Sequence, residues 1–445
     1  MPGIVRATAI LAAFSALTFA PGLAKAADLG GDCCADLESR IAGLEATTAH
    51  KGNKTVSLTI SGRVHANMMY WNDHAAVLDP DQPLDQSSDV YIGNTAGSET
   101  HLVFSGAGKI SSDLSAGFLM TIRDDFVNGA DTQISHQTGN LVTGDTTYIY
   151  LKSAKWGEYR LGNLPSASDD AYYVDFGAPG TVGGLSGGRF VGTFFLRAGN
   201  KPGELTDVTY GHVLGELGDS NENRLMYISP VWNGFTYKSD IGSNTGSVGL
   251  TWTGSAASFR AAFGAGYEIS RKADAISPGG GQSVQSVSTA TAPLTDINND
   301  TLRQLALSAS AIETGSGLFL TGEYSRAYAA IAGRDDATNW YVRTGWTKNV
   351  TGMGATTIDA QYERTDNKLA NGTAAHLWGI GVDQAIDAVA SNIYVHYQHD
   401  SFDTSGVITA ASAAGSPTEC MDGVPICTVD AQAIDSVTAG MVVNF

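Results

Sequence analysis

The stretch Asp435–Phe445 reads D-S-V-T-A-G-M-V-V-N-F. In an extended chain Val437, Ala439, Met441, Val443 and Phe445 fall on one face. Ser436, Thr438, Gly440 and Asn444 fall on the other, with Val442 as the single apolar residue among them. Side chains alternate across a strand, so this is a strand with one oily and one polar face. At the open edge of a soluble sheet it would leave unpaired backbone beside an oily face, which invites aggregation. Closing the sheet into a barrel removes the edge, because the last strand pairs with the first. The alternative is an ordinary sandwich strand at this place in the sequence.

The composition is compatible with a barrel. The chain has 445 residues, 53 of them Gly, and only 16% are charged. By length it holds about three ordinary domains or one large barrel with long loops. Mean hydropathy is −0.05. Alternating strands average to neutrality, so this value does not oppose a membrane barrel. Beyond the N-terminal leader no run of ~20 apolar residues offers a membrane-spanning helix. The formal charge of −19 argues against nucleic acid as a partner, because phosphates call for Lys and Arg. Four Cys are too few for a disulfide scaffold.

The same alternation appears at the other end of the chain. From Thr55 the run V-S-L-T-I-S-G-R-V-H-A-N (56–67) puts apolar or small residues at even positions and polar ones at odd positions. It extends to Trp71, long enough to cross a bilayer at a tilt, which takes ~9–11 residues. Strands are expected at 56–71, 97–110, 113–126, 145–156, 157–165, 222–232, 234–243, 247–256, 258–270, 301–313, 317–329, 337–350, 355–367, 373–387, 391–402 and 431–445. That is about sixteen, an even number, as single-chain bacterial barrels have. Short turns near Ser111-Ser112, Trp156-Gly157, Asn233-Gly234, Ser255–Ala257, Thr314–Ser316, Gly352–Gly354 and Ala388–Ala390 alternate with mostly longer connections at 72–96, 127–144, 166–221, 271–300, 330–336 and 403–430. Only those near 244–246 and 368–372 break the pattern. Short turns on one side and long loops on the other is the asymmetry of a transmembrane barrel, periplasm against exterior. Of the seven Trp, residues 71, 156, 232, 340, 346 and 378 lie towards strand ends, where membrane interfaces favour aromatics, and Trp252 fits less well.

Residues 1–26 read as a secretory signal peptide, with Arg6 as the positive region, Ile10–Ala20 as the apolar run and Ala24-Lys25-Ala26 as the cleavage site. Residues 27–54 follow as a periplasmic segment. Its adjacent Cys33 and Cys34 cannot readily bridge each other. Leu37, Ile41 and Leu44 form a short a/d seam, too brief to be stable alone. The seam either meets the same helix from neighbouring subunits or rests on the barrel rim. The barrel itself is expected over 55–445.

This order of parts resembles the N-terminus of porins from alphaproteobacteria of the rhizobial group. The segment D-L-E-S-R-I-A-G-L-E-A-T-T, the basic link K-G-N-K and the strand V-S-L-T-I-S-G-R-V carry the resemblance over residues 33–64. It continues more loosely over Ser98–Phe118, with the turn K-I-S-S-D-L-S-A-G-F, and returns at Phe445, which resembles the assembly signal of outer-membrane barrels. The middle of the chain matches only in pattern. The resemblance implies a homotrimeric general-diffusion channel in the outer membrane, with the third loop folded into the lumen.

That loop is the longest connection, 166–221. It contains Asp169, Asp170 and Asp175, a Gly-rich run from Gly177 to Gly188, and the apolar run Phe190–Leu196. Loops of this length are usually functional or disordered, and the apolar run argues for packing. The glycines lack the G-K-[ST] ending of a phosphate loop. Placement of the three acids at a constriction follows from the resemblance; a solvated surface loop is the other reading. Alternation directs Arg63, Arg123, Arg160, Arg260 and Arg343 inward, because an Arg facing lipid at mid-bilayer costs roughly 2–4 kcal/mol. Such a wall of Arg facing loop acids would tune ion preference; the bland reading is that each only solvates the lumen or sits near a rim.

Cys420 and Cys427 bracket M-D-G-V-P-I in an exported loop, which points to a disulfide there. No His lies nearby to favour a metal site. The nine His are scattered and no G-x-S-x-G elbow is present, so neither catalytic residues nor a cofactor is expected. The sequence therefore points to an all-β, 16-stranded antiparallel transmembrane barrel in a bacterial outer membrane, in contact with its lipid and passing small hydrophilic solutes and ions. A substrate-selective channel is the first alternative, and a barrel adhesin or structural protein the second.

Overall fold

A computed structural model describes residues 56–74, 87–93, 100–123, 143–171, 174–176, 194–197, 205–215, 217, 221–271, 301–329, 333, 335–368, 371–403 and 431–445. In chain order the strands are β1 (Ser57–Asn72), β2 (Ser88–Gly93), β3 (His101–Lys109), β4 (Leu114–Arg123), β5 (Thr143–Ser153), β6 (Gly157–Leu164), β7 (Phe195–Arg197), β8 (Leu205–Thr209), β9 (Glu222–Ile228) and β10 (Phe235–Gly242). They continue as β11 (Thr245–Ala256), β12 (Phe259–Arg271), β13 (Thr301–Glu313), β14 (Leu318–Tyr328), β15 (Ala337–Lys348), β16 (Thr356–Asp366), β17 (Ala374–Ile386), β18 (Ser391–Asp403) and β19 (Ile434–Asn444).

The Asp435–Phe445 strand closes the sheet. β19 runs antiparallel to β1 from Arg63↔Asn444 to Asn72↔Asp435, and to β18 on its other side. The amide of Gly62 donates to the Phe445 carbonyl at 2.9 Å and the amide of Phe445 to the Gly62 carbonyl at 3.0 Å. Seventeen segments share the sheet. Two of them, β3 and β2, pair with successive halves of β1, at Ser57–Arg63 and at Asn67–Asn72. They occupy one strand position, so the barrel has sixteen. With β1 paired to β19, neither end of the sheet is left as a free edge, which removes the aggregation hazard. Turn chemistry fits this topology: Asn233 and Gly234 both take positive φ, 49° and 85°, as a two-residue hairpin turn between bridged Trp232 and Phe235 requires.

The expected strands lie within a few residues of the observed ones. Two expectations need correction. The connection expected at 72–96 contains β2, and 166–221 contains β7, β8 and a helical turn at Tyr210–Val213. β7 and β8 form a separate two-stranded sheet. Trp71 does not belong to an interfacial girdle. It points inward, is 1% exposed, and meets Phe194 edge-on with centroids 5.5 Å apart.

Alternation sorts the faces as the sequence suggests. Ile60, Val64, Met120, Ile149, Leu161, Ile358 and Ile380 are exposed on the outside. The outer surface also carries ring pairs at two levels. Tyr159–Tyr227 and Phe235–Trp252 lie towards the short-turn end, and Trp340–Tyr362 and Trp378–Tyr397 towards the other. Inside, polar and charged side chains are buried, among them Arg224, Glu268, Thr321, Arg343, Asp359 and His396. One part of the interior is apolar instead. Met69, Trp71, Leu377, Tyr394, Ile434 and Val442 pack with Phe194, Leu196, Tyr210, Val213 and Leu214. Val442, the apolar residue on the polar side of β19, therefore has a partner inside the barrel. Burial of each such side chain stabilises by about 1.5–3 kcal/mol.

Candidate functional site: the barrel lumen

Two limbs of the connection between β6 and β9 lie against the inner wall. The outgoing limb starts at Pro165. Ser166 and Ser168 share a hydroxyl hydrogen bond of 2.8 Å, and the backbone tightens into a 3-10 turn at Asp169–Ala171. The amide of Ala167 donates to Ser247 Oγ at 2.8 Å and to Asp240 Oδ2 at 2.5 Å, and Ser168 Oγ donates to Glu268 Oε2 at 3.2 Å. Glycine is required in the wall behind this turn. A Cβ on Gly249 would sit 1.9 Å from the Ala167 carbonyl oxygen, and one on Gly266 2.7 Å from Ser168 Cβ. The limb thus lies flat on β11 and β12 because two inward positions there carry no side chain.

Below the turn a buried Arg holds the acids that receive the limb. Arg224 Nη1 donates to Asp240 Oδ1 at 2.9 Å, and Nη2 lies 3.4 Å from Glu268 Oε1. Both partners are as buried as Arg224 itself. An uncompensated buried charge costs several kcal/mol, so these charges stabilise only as a set. Asp170 pairs with Lys238 of β10. Further on, the amide of Phe176 donates to Ser310 Oγ at 2.9 Å, and the Arg260 guanidinium lies 4.8 Å from the Phe176 ring centre. Asp175 accepts from Thr321 Oγ1 at 2.7 Å and from Arg343 Nη1 at 2.9 Å. The other arm of Arg343 donates to Asp359 Oδ2 at 2.9 Å. The outgoing limb therefore bonds to the wall from β10 round to β15.

The returning limb meets the wall beside β1 and β19 and then at β16 and β14. Arg197 of β7 donates through Nε to Asp73 Oδ2 at 2.5 Å, with both side chains 1% exposed, and its carbonyl accepts from the amide of Gln432 at 2.9 Å. After β8 the helical turn Tyr210–Val213 packs against the apolar wall. Lys368 Nζ, 2% exposed as a residue, donates to the carbonyls of Gly211, Leu214 and Gly215 at 3.0, 2.8 and 3.4 Å.

Of the residues singled out from sequence, Arg343 and Asp175 come together directly, and Arg260 meets the same limb through Phe176. Arg160 lies on the inner face of β6, bonded to Glu158 at 2.6 Å and over the Tyr148 ring at 4.8 Å. Arg123 is at the end of β4, 2.9 Å from Asp145. Arg63 is on β1, opposite Asn444. Asp169 opens the 3-10 turn. Phe445 is 59% exposed on the outer face. The signal peptide, the 27–54 segment, Cys33, Cys34, Cys420 and Cys427 lie outside the described residues. Alternation along 258–270 puts Glu268 inward beside Arg260, where it is found, whereas sequence reasoning passed over Arg224, Asp240, Arg197, Lys368 and Asp359. Arg224 is instructive: in N-R-L-M-Y-I both Leu225 and Met226 are apolar, so alternation gives that strand no clear face.

A barrel wall of inward charges crossed by an inserted loop fits a pore, and the comparisons decide the family. A model of the Gram-negative porins matches residues 7–405. The chain belongs to the Gram-negative porin family. A comparison with curated protein sequences returns no match. Among solved structures the porin is similar to OmpT, an outer membrane protein of Vibrio cholerae, at 13% identity and TM-score 0.52, covering 89% of this chain and 100% of that one. It is also similar to the anion-selective porin from Comamonas acidovorans, at 16% identity and TM-score 0.52 with 88% and 100% covered. A third is the outer membrane channel DcaP of Acinetobacter baumannii, at 10% identity and TM-score 0.50 with 89% and 99% covered. At these identities the likeness is one of fold. The porin is a passive pore that crosses the outer membrane as a multi-pass β-barrel.

Proposed function

We propose that the pore passes small hydrophilic solutes and ions without a dedicated substrate, and that the loop 166–221 sets its width. The observation that carries this reading is the Arg343–Asp175–Thr321 contact, which ties the loop to the inner wall. Asp169, Asp170 and Asp175 on the loop, with Arg63, Arg123, Arg160, Arg260 and Arg343 on the wall, are the charges a permeating ion meets. The protein works without catalysis and without a cofactor. Export by the 1–26 signal peptide precedes assembly, with Phe445 as the assembly signal. The functional unit is a homotrimer, with the seam of Leu37, Ile41 and Leu44 in the 27–54 segment available for contact between subunits. A disulfide joins Cys420 and Cys427, and the subtype is that of the rhizobial porins.

A substrate-selective channel is the second reading. It is favoured by the apolar cluster around Trp71 and Leu377, which fills part of the interior. Swelling of proteoliposomes in neutral sugars of increasing size separates the two. A general pore gives rates that fall smoothly with solute size and do not saturate. Saturation by one solute class would contradict it.

A further inference from the structure

We propose that Lys368 is the positioning residue that keeps the returning limb seated in the lumen, and that its removal widens the pore. The inference rests on the porin reading and goes beyond it. Lys368 follows β16 in the short connection to β17, one of the two places where the alternation of turn and loop lengths fails. Instead of extending outward, its side chain is buried and reaches the far end of the helical turn Tyr210–Val213. Carbonyls at the end of a helical turn have no partner within it. An ammonium has three donors, and here three converging carbonyls receive them, from Gly211, Leu214 and Gly215. The arrangement places a cation where the backbone dipoles are negative.

Between Tyr210 and Leu217 the limb's other described wall bonds are neutral and mostly longer, while at its end Asn221 donates to Asp145 Oδ1 of β5 at 2.9 Å. The amide of Gly215 donates to Thr365 Oγ1 at 3.1 Å, that of Leu217 to Ser325 Oγ at 3.4 Å, and Tyr210 Oη to the Gln432 carbonyl at 3.5 Å. Apolar packing of Tyr210, Val213 and Leu214 draws the limb to the wall but is non-directional. The Lys368 bonds fix where along the wall the limb stops. A single side chain from the barrel's own framework thereby decides how much of the interior the limb occupies.

The test compares the full-length mature protein with Lys368→Met and Lys368→Arg. Met keeps the apolar stem and drops the ammonium, and Arg keeps a cation. Heat-modifiable migration on gels establishes that each barrel is folded. Hydrogen exchange of the amides over 205–217 and unitary conductance in planar bilayers are then measured on the same preparations. The expected result for Lys368→Met is faster exchange confined to 205–217 with a shift to higher conductance, and partial return of both in Lys368→Arg. Unchanged exchange in a folded Lys368→Met barrel would overturn the seating role. Faster exchange at unchanged conductance would overturn the link to pore width. A silent wild-type barrel that still shows faster exchange in Lys368→Met would leave the seat standing and fail the porin reading instead. Should Lys368→Met not fold, Thr365→Val removes a neighbouring neutral bond. With Lys368 intact it is expected to leave exchange over 211–215 near wild type, and exchange as fast as in a freed limb would contradict the assignment.

Discussion

At the residue scale the lumen is governed by charges that share partners. Arg343 stands between Asp175 of the loop and Asp359 of the neighbouring strand, with all three side chains largely buried. Replacing it with Met leaves two carboxylates in a poorly hydrated place. Breaking a buried pair by removing one partner costs about 3–5 kcal/mol, so Arg343→Met is expected to lower the thermal unfolding temperature markedly. It also removes a positive charge from the pore. Reversal potential under a salt gradient should therefore move towards cation preference, and an unchanged potential in a folded variant would show that Arg343 lies off the ion path. Arg343 was legible from alternation because Val342 and Thr344 on either side share the opposite face. Its partner was not, since alternation says which face a side chain is on and nothing about which loop residue meets it.

The wall glycines make a second residue-scale prediction. Gly266→Ala places a Cβ against Ser168, whereas Gly246→Ala on the outer face of β11 meets nothing nearer than the Asp240 carbonyl at 3.5 Å. The first is expected to shift the outgoing limb and change unitary conductance, and the second to leave it at the wild-type value. The signal for the wall glycines is absent from the sequence, where Gly249 and Gly266 are two among 53 until a loop is seen lying on them.

At the element scale, strand alternation did most of the work, and its limits are those of length. β1, β12 and β17 each run for 13 residues or more and were recognisable from the period alone. β2 has 6 residues and β7 has 3, too few for a period to register. The faces assigned this way carry a testable cost. Val342 points outward near the middle of β15, beside the inward Arg343. Val342→Arg should destabilise the barrel in lipid by roughly 2–4 kcal/mol, the cost of an Arg at the bilayer midplane. Unfolding in denaturant in the presence of phospholipid vesicles measures it. A change near zero would mean that this face does not meet lipid.

At the scale of the whole molecule, the closure of β1 on β19 and the two limbs inside answer different questions. Closure follows from the sequence because an amphipathic strand at either end of the sheet needs a partner, and each end supplies the other's. The content of the lumen does not follow, because the same inward polarity suits an empty channel and a crossed one. The apolar cluster at Trp71, Leu377 and Val442 is the part least visible beforehand: single apolar residues on polar faces of distant strands acquire meaning only when the loop brings Phe194 and Leu196 to them.

An open pore whose width is set by the inserted loop must carry ions. Single-channel recording of the refolded protein without residues 1–26 in planar bilayers tests it most directly. Discrete openings in groups of three are expected, with conductance rising with salt and no block by neutral sugars. A folded, inserted barrel that passes no current at any salt concentration would contradict it.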